Sequence, residues 1–162
     1  MMIRPATFND ADAIAAVHIA SWHETYGGIV PDSYLQKLDV KERKLMWEKA
    51  LEKGQLVYVA EVDGKVVGFA NGGNNRDNDD TYPGELYAIY LLKAFHQRGL
   101  GKKLFEQVVS QLSSDCLLPF VTYVLADNPT LGFYMHSGAR IIGEHMEDFG
   151  EGKLRELRLA WG

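Results

Sequence analysis

Hydrophobic and polar residues follow two different periods along this chain, and the change from one to the other marks the predicted elements. Apolar runs rich in Val, Ile, Leu and Tyr are typical of strands. Apolar residues spaced three and four apart are typical of helices that bury one face. Because helices separate some strands and tight turns separate others, the pattern predicts an α+β fold. We expect a mixed, mostly antiparallel sheet of about six or seven strands, with helices on both faces.

The first half of the chain is predicted to contain one short strand, three helices and a hairpin. Asn9–Asp10 is a suitable cap for the first helix, and Gly27–Gly28 ends that helix. Asp63–Gly64 between two β-branched runs is typical of a hairpin turn. The predicted segments are a strand at 3–6, helices that begin at 11, at 29–32 and at 40, and strands at 56–62 and 65–70.

The second half is predicted to alternate strands and helices and to end in two strands. It begins with the polar loop Asn74–Asp80, which we expect to be solvated and mobile because its spacing does not match a calcium-binding loop. Pro129 suits the first position of a short helix, and Gly138 suits its end. The predicted segments are a strand from 85, a helix from 101 to 111–114, a strand at 120–125, a short helix at 128–138, and strands at 140–144 and 153–161.

Size and charge narrow the classes of function. The chain has 162 residues, near the usual size of one domain, so we expect a single domain over 1–162. Its net charge of −5 argues against nucleic acid or an anionic membrane as a partner. No apolar run is long enough to span a membrane and no signal peptide opens the chain, so the cytoplasm is the expected compartment.

The cysteine and the histidines argue against a metal centre. Cys116 is the only cysteine, which excludes an intrachain disulfide and a cysteine cluster. It follows an apparent helix end, where we expect a small, partly buried residue and not a nucleophile. The histidines show no spacing typical of metal ligands, so no metal is expected. They are His18, His23, His96, His136 and His145.

The chain is organised around residues 85–104, where an apolar strand changes into an amphipathic helix through a turn that contains Gly99 and Gly101. A glycine turn at a helix N-terminus directs several N–H groups toward one point, and the helix adds partial positive charge there. Such a turn can hold a phosphate or pyrophosphate. The nucleotide-binding patterns themselves are absent, since Leu104 stands where the dinucleotide fingerprint needs its third glycine and no P-loop sequence occurs.

This turn resembles the acetyl-CoA motif of the GNAT family of N-acetyltransferases, [Q/R]-x-x-G-x-[G/A]. Residues 96–101 match both glycines of the motif, with His96 where Gln or Arg is usual. Residues 128–139 are similar to a later block of the same family and keep its Asn128, Tyr134 and Gly138, with Ala139 in place of Phe. Two blocks in the family's order are more specific than either one alone.

The resemblance implies a sheet splayed between its fourth and fifth strands, acetyl-CoA as the co-substrate, and a primary amine on a small molecule or peptide as the acceptor. The loop would bind the pyrophosphate largely through main-chain N–H groups, while strand groups and an asparagine would hold the pantetheine arm. The implied cofactor-binding residues are Ile89, Leu91, His96, Gln97, Arg98, Gly99, Leu100, Gly101, Lys102 and Asn128.

The resemblance also implies a pair of catalytic residues. Glu85, at the start of the central strand, would be the general base that accepts a proton from the amine, directly or through water. Tyr134 would be the general acid toward the departing sulfur, because a phenol with an ordinary pKa of about 10 is protonated at neutral pH. The alternative interpretations are a solvated strand-start residue for Glu85 and a core aromatic for Tyr134.

The early helical region would form one wall of the acceptor groove in the resembled family. Trp22, His23, Glu24 and Tyr26 are therefore candidate substrate contacts. Helical spacing allows Trp22 and Tyr26 to be core residues instead. No pattern in the sequence identifies the amine or decides between a monomer and the homodimer that is common in that family.

Two other functions stay open at this point. One is a non-catalytic acyl-CoA-binding or regulatory module with the same fold, which the presence of both Glu85 and Tyr134 disfavours. The other is a nucleotide-binding domain of a different fold, which the absence of both nucleotide fingerprints disfavours. The function that the family resemblance implies is an acetyl-CoA-dependent N-acetyltransferase.

Overall fold

A computed structural model describes residues 1–162 and contains seven strands in one sheet. The strands are β1 (Met2–Pro5), β2 (Leu56–Val62), β3 (Lys65–Asn74), β4 (Gly84–Leu91), β5 (Phe120–Leu125), β6 (Arg140–Asp148) and β7 (Lys153–Trp161). They lie in the order β1-β2-β3-β4-β5-β7-β6, and every pairing is antiparallel except that of β4 with β5. The predicted mixed, mostly antiparallel sheet is confirmed.

Five helices cover the two faces of the sheet. They are α1 (Ala11–Tyr26), α2 (Asp32–Gln36), α3 (Val40–Glu52), α4 (Leu100–Ser114) and α5 (Leu131–His136), with short 3-10 turns at Phe8–Asp10 and Lys93–Phe95. α1 and α3 pack on one face around Phe69. α4 packs on the opposite face, where Leu104, Val108 and Leu112 are fully buried. None of these helices combines the length and the apolar character that crossing a membrane requires.

The sheet opens between β4 and β5. Their parallel ladder contains only Gly84 with Phe120 and Glu85 with Val121. Thr122 extends the contact by donating its hydroxyl hydrogen to the carbonyl oxygen of Leu86 over 2.8 Å. Beyond this point the two strands pair only with their outer neighbours, so a cleft lies between them. The splay implied by the family resemblance is therefore present.

A β-bulge in β4 decides which main-chain groups face this cleft. The register against β3 shifts between Gly72, which pairs with Leu86, and Asn71, which pairs with Ala88. An extra residue in one strand reverses the side to which the following groups point. Because Leu92 N–H donates to Val67 of β3, the main-chain groups of Ile89 and Leu91 face away from β3 and toward the cleft.

The short helix α5 begins later than predicted. It starts at Leu131, because the Asn128 side chain closes a turn by accepting the Thr130 N–H over 2.8 Å, and Pro129 lies inside that turn. The predicted end is confirmed, since Gly138 has a φ of 101°, in the left-handed region that ends many helices.

The expected solvent exposure is confirmed for most of the polar loop, but Cys116 is more exposed than expected. Five of the seven residues 74–80 are exposed, while Asn75 is buried and donates to the Tyr82 carbonyl and Asp79 is paired with Arg158. Cys116 is exposed and not partly buried, and its φ of 59° lies in the left-handed region. The contacts of Asn75 and Asp79 join separate parts of the chain, which a one-dimensional pattern does not contain.

Candidate active site

The cleft between β4 and β5 has a volume of about 600 Å3 and collects most of the predicted site residues. Its walls come from the end of α1, the open edges of β4 and β5, the turn before α4, and α5. The predicted residues that line it are Tyr26, Ile89, Leu91, His96, Gln97, Gly99, Gly101, Lys102, Asn128 and Tyr134. We call this space the interstrand cleft.

One end of the interstrand cleft is an anion site built from main-chain groups. The N–H groups of residues 97–102 have no acceptor within the chain, and the first helical bond of α4 runs from Lys103 N–H to the Gly99 carbonyl. Left-handed backbone at Gln97 and Gly99, with φ of 64° and 77°, turns this row of donors around the helix start. Unpaired donors at a helix N-terminus favour phosphate groups.

Gly101 provides the space that such a ligand needs. A Cβ built at Gly101 would meet no atom within 4 Å, and the residue lines the interstrand cleft. The backbone can therefore be approached closely at this point. The row of free N–H groups and this open space fit the pyrophosphate of a coenzyme A molecule.

His96 fixes this turn to the end of β4. Its ring Nε2–H donates to the main-chain oxygen of Leu91 over 2.8 Å. A side chain with an N–H donor is sufficient for this contact, which explains how His can stand where the motif usually has Gln or Arg. The loop therefore stays anchored to β4 although His96 replaces the usual Gln or Arg of the motif.

Two residues of the predicted loop lie outside the interstrand cleft. The Leu100 side chain is 1% exposed and packs in the core beneath α4. The Arg98 guanidinium lies over the Phe95 ring, 5.2 Å from its centre. Their side chains are thus directed away from the row of free donors, although their N–H groups belong to it.

Tyr134 places a phenol in the wall of the interstrand cleft. Its ring is buried against Phe133 and Trp161, and its hydroxyl makes no hydrogen bond within the chain and is not sealed from solvent. Burial raises the pKa of Tyr134, and the nearby Tyr26 raises it further. The phenol therefore keeps its proton well above neutral pH and can donate it.

Asn128 connects two walls of the interstrand cleft. Its side-chain NH2 donates to the Tyr26 hydroxyl over 2.9 Å, and its side-chain oxygen accepts from both the N–H and the hydroxyl of Thr130. One N–H of the amide is left for a ligand. Asn128 thus holds the end of α1 against the turn before α5.

Glu85 does not line the interstrand cleft. Its side chain is 1% exposed, and Arg76 donates to it from its main-chain N–H over 2.9 Å and from its guanidinium over 3.2 and 2.6 Å. Tyr87 and Tyr123 do line the cleft. Burial is the main cause that raises the pKa of each, and the negative charge of the nearby Glu85 raises both pKa values further. Glu85 is therefore neither solvated nor directly open to the cleft.

The candidate acceptor contacts on α1 take different positions. Tyr26 is 5% exposed and lines the interstrand cleft, while Trp22 packs on Tyr26 and Tyr34 behind it. His23 is exposed. Glu24 accepts the Lys93 N–H over 3.2 Å and so caps the turn before the anion site. Only Tyr26 of this group reaches the cleft.

A second cavity, of about 710 Å3, adjoins the interstrand cleft. The sequence pattern does not predict it. It lies on the face of β5, β7 and β6 opposite α4, beside the loop after β3, and its walls include Asp77, Asp79, Glu144, Glu156 and Arg158. Tyr123 lines both spaces. Alternation along β5 indicates that Tyr123 lies on one face of the strand but not that this face is open. We call this second space the acidic cavity.

Several groups of the acidic cavity are already paired. The Tyr123 hydroxyl donates to the Asp77 carboxylate, and burial followed by this bond raises the pKa of Tyr123 to about 12. Arg158 is bound to Asp79 over 2.8 Å. Glu156 accepts from His145 over 3.0 Å, yet burial raises the pKa of Glu156 above its usual value. Negative charge therefore exceeds positive charge along these walls.

The amino-acid sequence is similar to those of known proteins over most of its length. Residues 19–139 match the sequence profile of the acetyltransferase (GNAT) family. A Bacillus subtilis (strain 168) protein, called uncharacterized N-acetyltransferase YuaI, is 36% identical over 161 residues, which are 98% of this chain and 91% of that protein.

Solved structures share the fold. A PaiA N-acetyltransferase from Thermoplasma acidophilum in complex with coenzyme A is 21% identical, with a TM-score of 0.76 and 96% of each chain covered. YncA, a putative acetyltransferase from Salmonella typhimurium solved with its cofactor acetyl-CoA, is 21% identical, with a TM-score of 0.76, 99% of this chain and 92% of that chain covered. Because the profile spans most of the sequence and the Bacillus relative nearly all of it, this chain belongs to the acetyltransferase (GNAT) family.

Proposed function

We propose that this protein is an N-acetyltransferase that moves an acetyl group from acetyl-CoA directly to a primary amine. The observation that carries the proposal is the row of unpaired N–H groups at residues 97–102, which opens into the same interstrand cleft as the free hydroxyl of Tyr134. The family match and the coenzyme A and acetyl-CoA bound in the two structural relatives support the same reaction.

The binding roles follow from the walls of the interstrand cleft. The N–H groups of residues 97–102 would hold the pyrophosphate, and Lys102 would add a positive charge beside it. The main-chain groups of Ile89 and the N–H of Leu91, which have no ladder partner on the side of β5, would hold the pantetheine arm, because the Leu91 carbonyl already accepts from His96. The remaining N–H of Asn128 would add one donor from the opposite wall.

The reaction needs a proton taken from the amine and a proton given to the sulfur. When bound, acetyl-CoA supplies an activated acetyl group, so that an N–C bond forms at the amine as the C–S bond breaks. Tyr134 would donate the proton from its hydroxyl to the departing sulfur. The exposed Cys116 follows the C-terminal end of α4, remote from the cleft walls, so no thiol is placed to form an acyl-enzyme.

Glu85 would accept the amine proton through water. Its carboxylate is held by Arg76 behind Tyr87 and Tyr123, so a bridging molecule is needed between it and the cleft. Glu85→Gln would then lower kcat without changing the affinity for acetyl-CoA. An unchanged kcat in a folded Glu85→Gln variant would remove Glu85 from the reaction.

Calorimetric titration with acetyl-CoA tests the proposal directly. We expect micromolar binding of acetyl-CoA and of CoA, and no binding of ATP or NAD at the same concentrations. The absence of acetyl-CoA binding would overturn the proposal. Binding of acetyl-CoA with no turnover across a broad panel of amines would favour the non-catalytic module instead.

A further inference from the structure

The hydrogen-bond partners of the Tyr26 hydroxyl decide where its hydrogen points. Thr130 donates its N–H and its hydroxyl hydrogen to the side-chain oxygen of Asn128, over 2.8 and 2.7 Å. Because a main-chain N–H can only donate, this contact identifies the oxygen end of the Asn128 amide. The NH2 end therefore faces the Tyr26 oxygen at 2.9 Å and donates to it. The Tyr26 hydrogen has to point elsewhere.

A second donor approaches the same oxygen. Burial raises the pKa of Tyr26, and the neighbouring Tyr90 hydroxyl counteracts part of this rise, as a donor to the Tyr26 oxygen does. The Tyr90 oxygen lies beside the indole N–H of Trp22, a buried group that has no fully formed hydrogen bond and can only donate. The donors thus run from Trp22 through Tyr90 to Tyr26, and they occupy the Tyr26 oxygen as an acceptor.

The Tyr26 hydrogen is therefore left for a ligand in the interstrand cleft. The side chain is 5% exposed and lines the cleft, and its hydroxyl donates to no group of the chain. The unpaired hydroxyl of Tyr134 is close to it, since Tyr26 adds to the effect of burial in raising the pKa of Tyr134. Two phenol donors without an acceptor in the chain thus face the same part of the cleft.

The groups that react there offer three acceptor atoms, and one of them suits the Tyr26 hydroxyl. The amine nitrogen attacks with its lone pair, so a donor bound to that lone pair would hinder the reaction. The departing sulfur has Tyr134 as its donor in the proposed function. The acetyl carbonyl oxygen remains. It takes the electron pair of the C=O bond while the N–C bond forms and returns it while the C–S bond breaks, so a donor at this oxygen stabilises the charge that develops.

We propose that Tyr26 is a catalytic residue whose hydroxyl donates a hydrogen bond to the acetyl carbonyl oxygen and stabilises its negative charge in the transition state. Tyr26 transfers no proton: the amine proton passes toward Glu85 through water, and the sulfur receives its proton from Tyr134. The inference rests on the proposed function. It assigns Tyr26 to the reacting bond, whereas the family resemblance implied a contact with the acceptor.

Steady-state kinetics of Tyr26→Phe, which removes the hydroxyl and keeps the ring, test the role. We expect kcat to fall by roughly a hundredfold, with the amine KM and the acetyl-CoA affinity within about twofold of the wild type. An unchanged kcat with a raised amine KM, or with weaker acetyl-CoA binding, would make Tyr26 a binding contact and would overturn the inference.

Tyr34→Phe is the matched control for this experiment. The Tyr34 ring packs on Trp22 in the same group of aromatic side chains, but Tyr34 does not line the interstrand cleft. Loss of its hydroxyl should leave kcat unchanged. An equal fall of kcat in Tyr34→Phe and Tyr26→Phe would indicate a general effect on the aromatic group and would contradict the catalytic role.

The stretching frequency of the bound carbonyl is a measurement that does not depend on turnover. Acetyl-CoA with an isotope label at the carbonyl carbon is bound without an amine, and difference infrared spectra record its band. Because a hydrogen bond to the oxygen weakens the C=O bond, we expect a lower frequency in the wild type than in Tyr26→Phe. Equal frequencies would overturn the inference. If Tyr26→Phe does not fold, a wild-type band no lower than that of acetyl-CoA in water would overturn it.

The inference and the proposed function fail in different ways. If the wild-type protein does not bind acetyl-CoA in the calorimetric titration, the proposed function is wrong. If the wild type binds acetyl-CoA and acetylates an amine, but Tyr26→Phe keeps the full kcat and the same carbonyl band, only the inference is wrong.

Discussion

Tyr134 combines a buried ring with a hydroxyl that forms no hydrogen bond to any group of the chain. Burial of the ring fixes the position of the hydroxyl oxygen, and it also keeps the proton on the oxygen, because the phenolate would lose its solvation. The same packing against Trp161 therefore supplies both the position and the protonation state of a general acid.

Tyr134→Phe is expected to lower kcat by roughly a hundredfold, because one proton donor to the sulfur is lost. The affinity for acetyl-CoA should stay nearly the same, since the ring contacts are kept. Because burial raises the pKa of Tyr134, the wild-type rate should show no loss through Tyr134 as the pH rises to 10. Full activity of Tyr134→Phe would contradict the role. So would a wild-type rate that falls with rising pH near neutrality, if Tyr134→Phe does not show that fall.

Single residues also show where the sequence was insufficient. The glycines and Tyr134 were identified because each belongs to a short contiguous block. The environment of Glu85 depends on Arg76, which approaches it from the loop between β3 and β4, and the importance of Tyr123 depends on Asp77 from the same loop. Contacts of this kind join elements and have no periodicity to detect, so the acidic cavity was missed.

The turn before α4 and the bulge in β4 act together at the level of elements. The turn collects main-chain N–H groups, and the bulge directs the groups of Ile89 and Leu91 toward the same cleft. The strands and helices themselves were predictable from hydrophobic periodicity and glycine positions. The bulge was not, because its sequence, Leu86–Tyr87–Ala88, continues an apolar run without interruption.

Gly101→Pro is expected to weaken acetyl-CoA binding by roughly a hundredfold, because it removes one N–H from the anion site. The helix should persist, since proline is tolerated in the first turn and this N–H has no partner in the chain. Gly101→Ala is the matched control, because it adds a Cβ at the same point as proline does but keeps the N–H. Calorimetric affinities of both folded variants decide the matter, and equal affinities would contradict the assignment of this loop.

At the scale of the whole molecule, a buried histidine connects global stability to pH. His18 lies between α1, α3 and the sheet, where it accepts a hydrogen bond from the Trp47 indole over 3.2 Å. Burial, with a smaller contribution from Arg43, lowers the pKa of His18 to about 4. The folded protein therefore keeps this ring neutral at pH values where the unfolded chain protonates it.

The free energy of unfolding should decrease by roughly 3 kcal/mol through His18 as the pH falls from about 6.5 to about 4. The lowered pKa gives stability that is complete above the unfolded value and is lost within this window. Urea titrations at several pH values measure the slope. His18→Gln should flatten the slope, whereas His136→Gln, at an exposed position, should not. Identical slopes in all three proteins would contradict the prediction.

The opening between β4 and β5 has one more consequence for the whole molecule. Only two residue pairs and the Thr122 hydroxyl connect the halves of the sheet, so the separation of the two strands is set mainly by the side chains that span both halves. Phe105 of α4, Phe120 of β5 and Trp161 of β7 form one group of such contacts. Trimming or enlarging one of these rings would change the width of the gap without the loss of a single ladder bond. The spacing of the two strands can therefore be adjusted through side chains alone, while the strand order and the ladder stay constant.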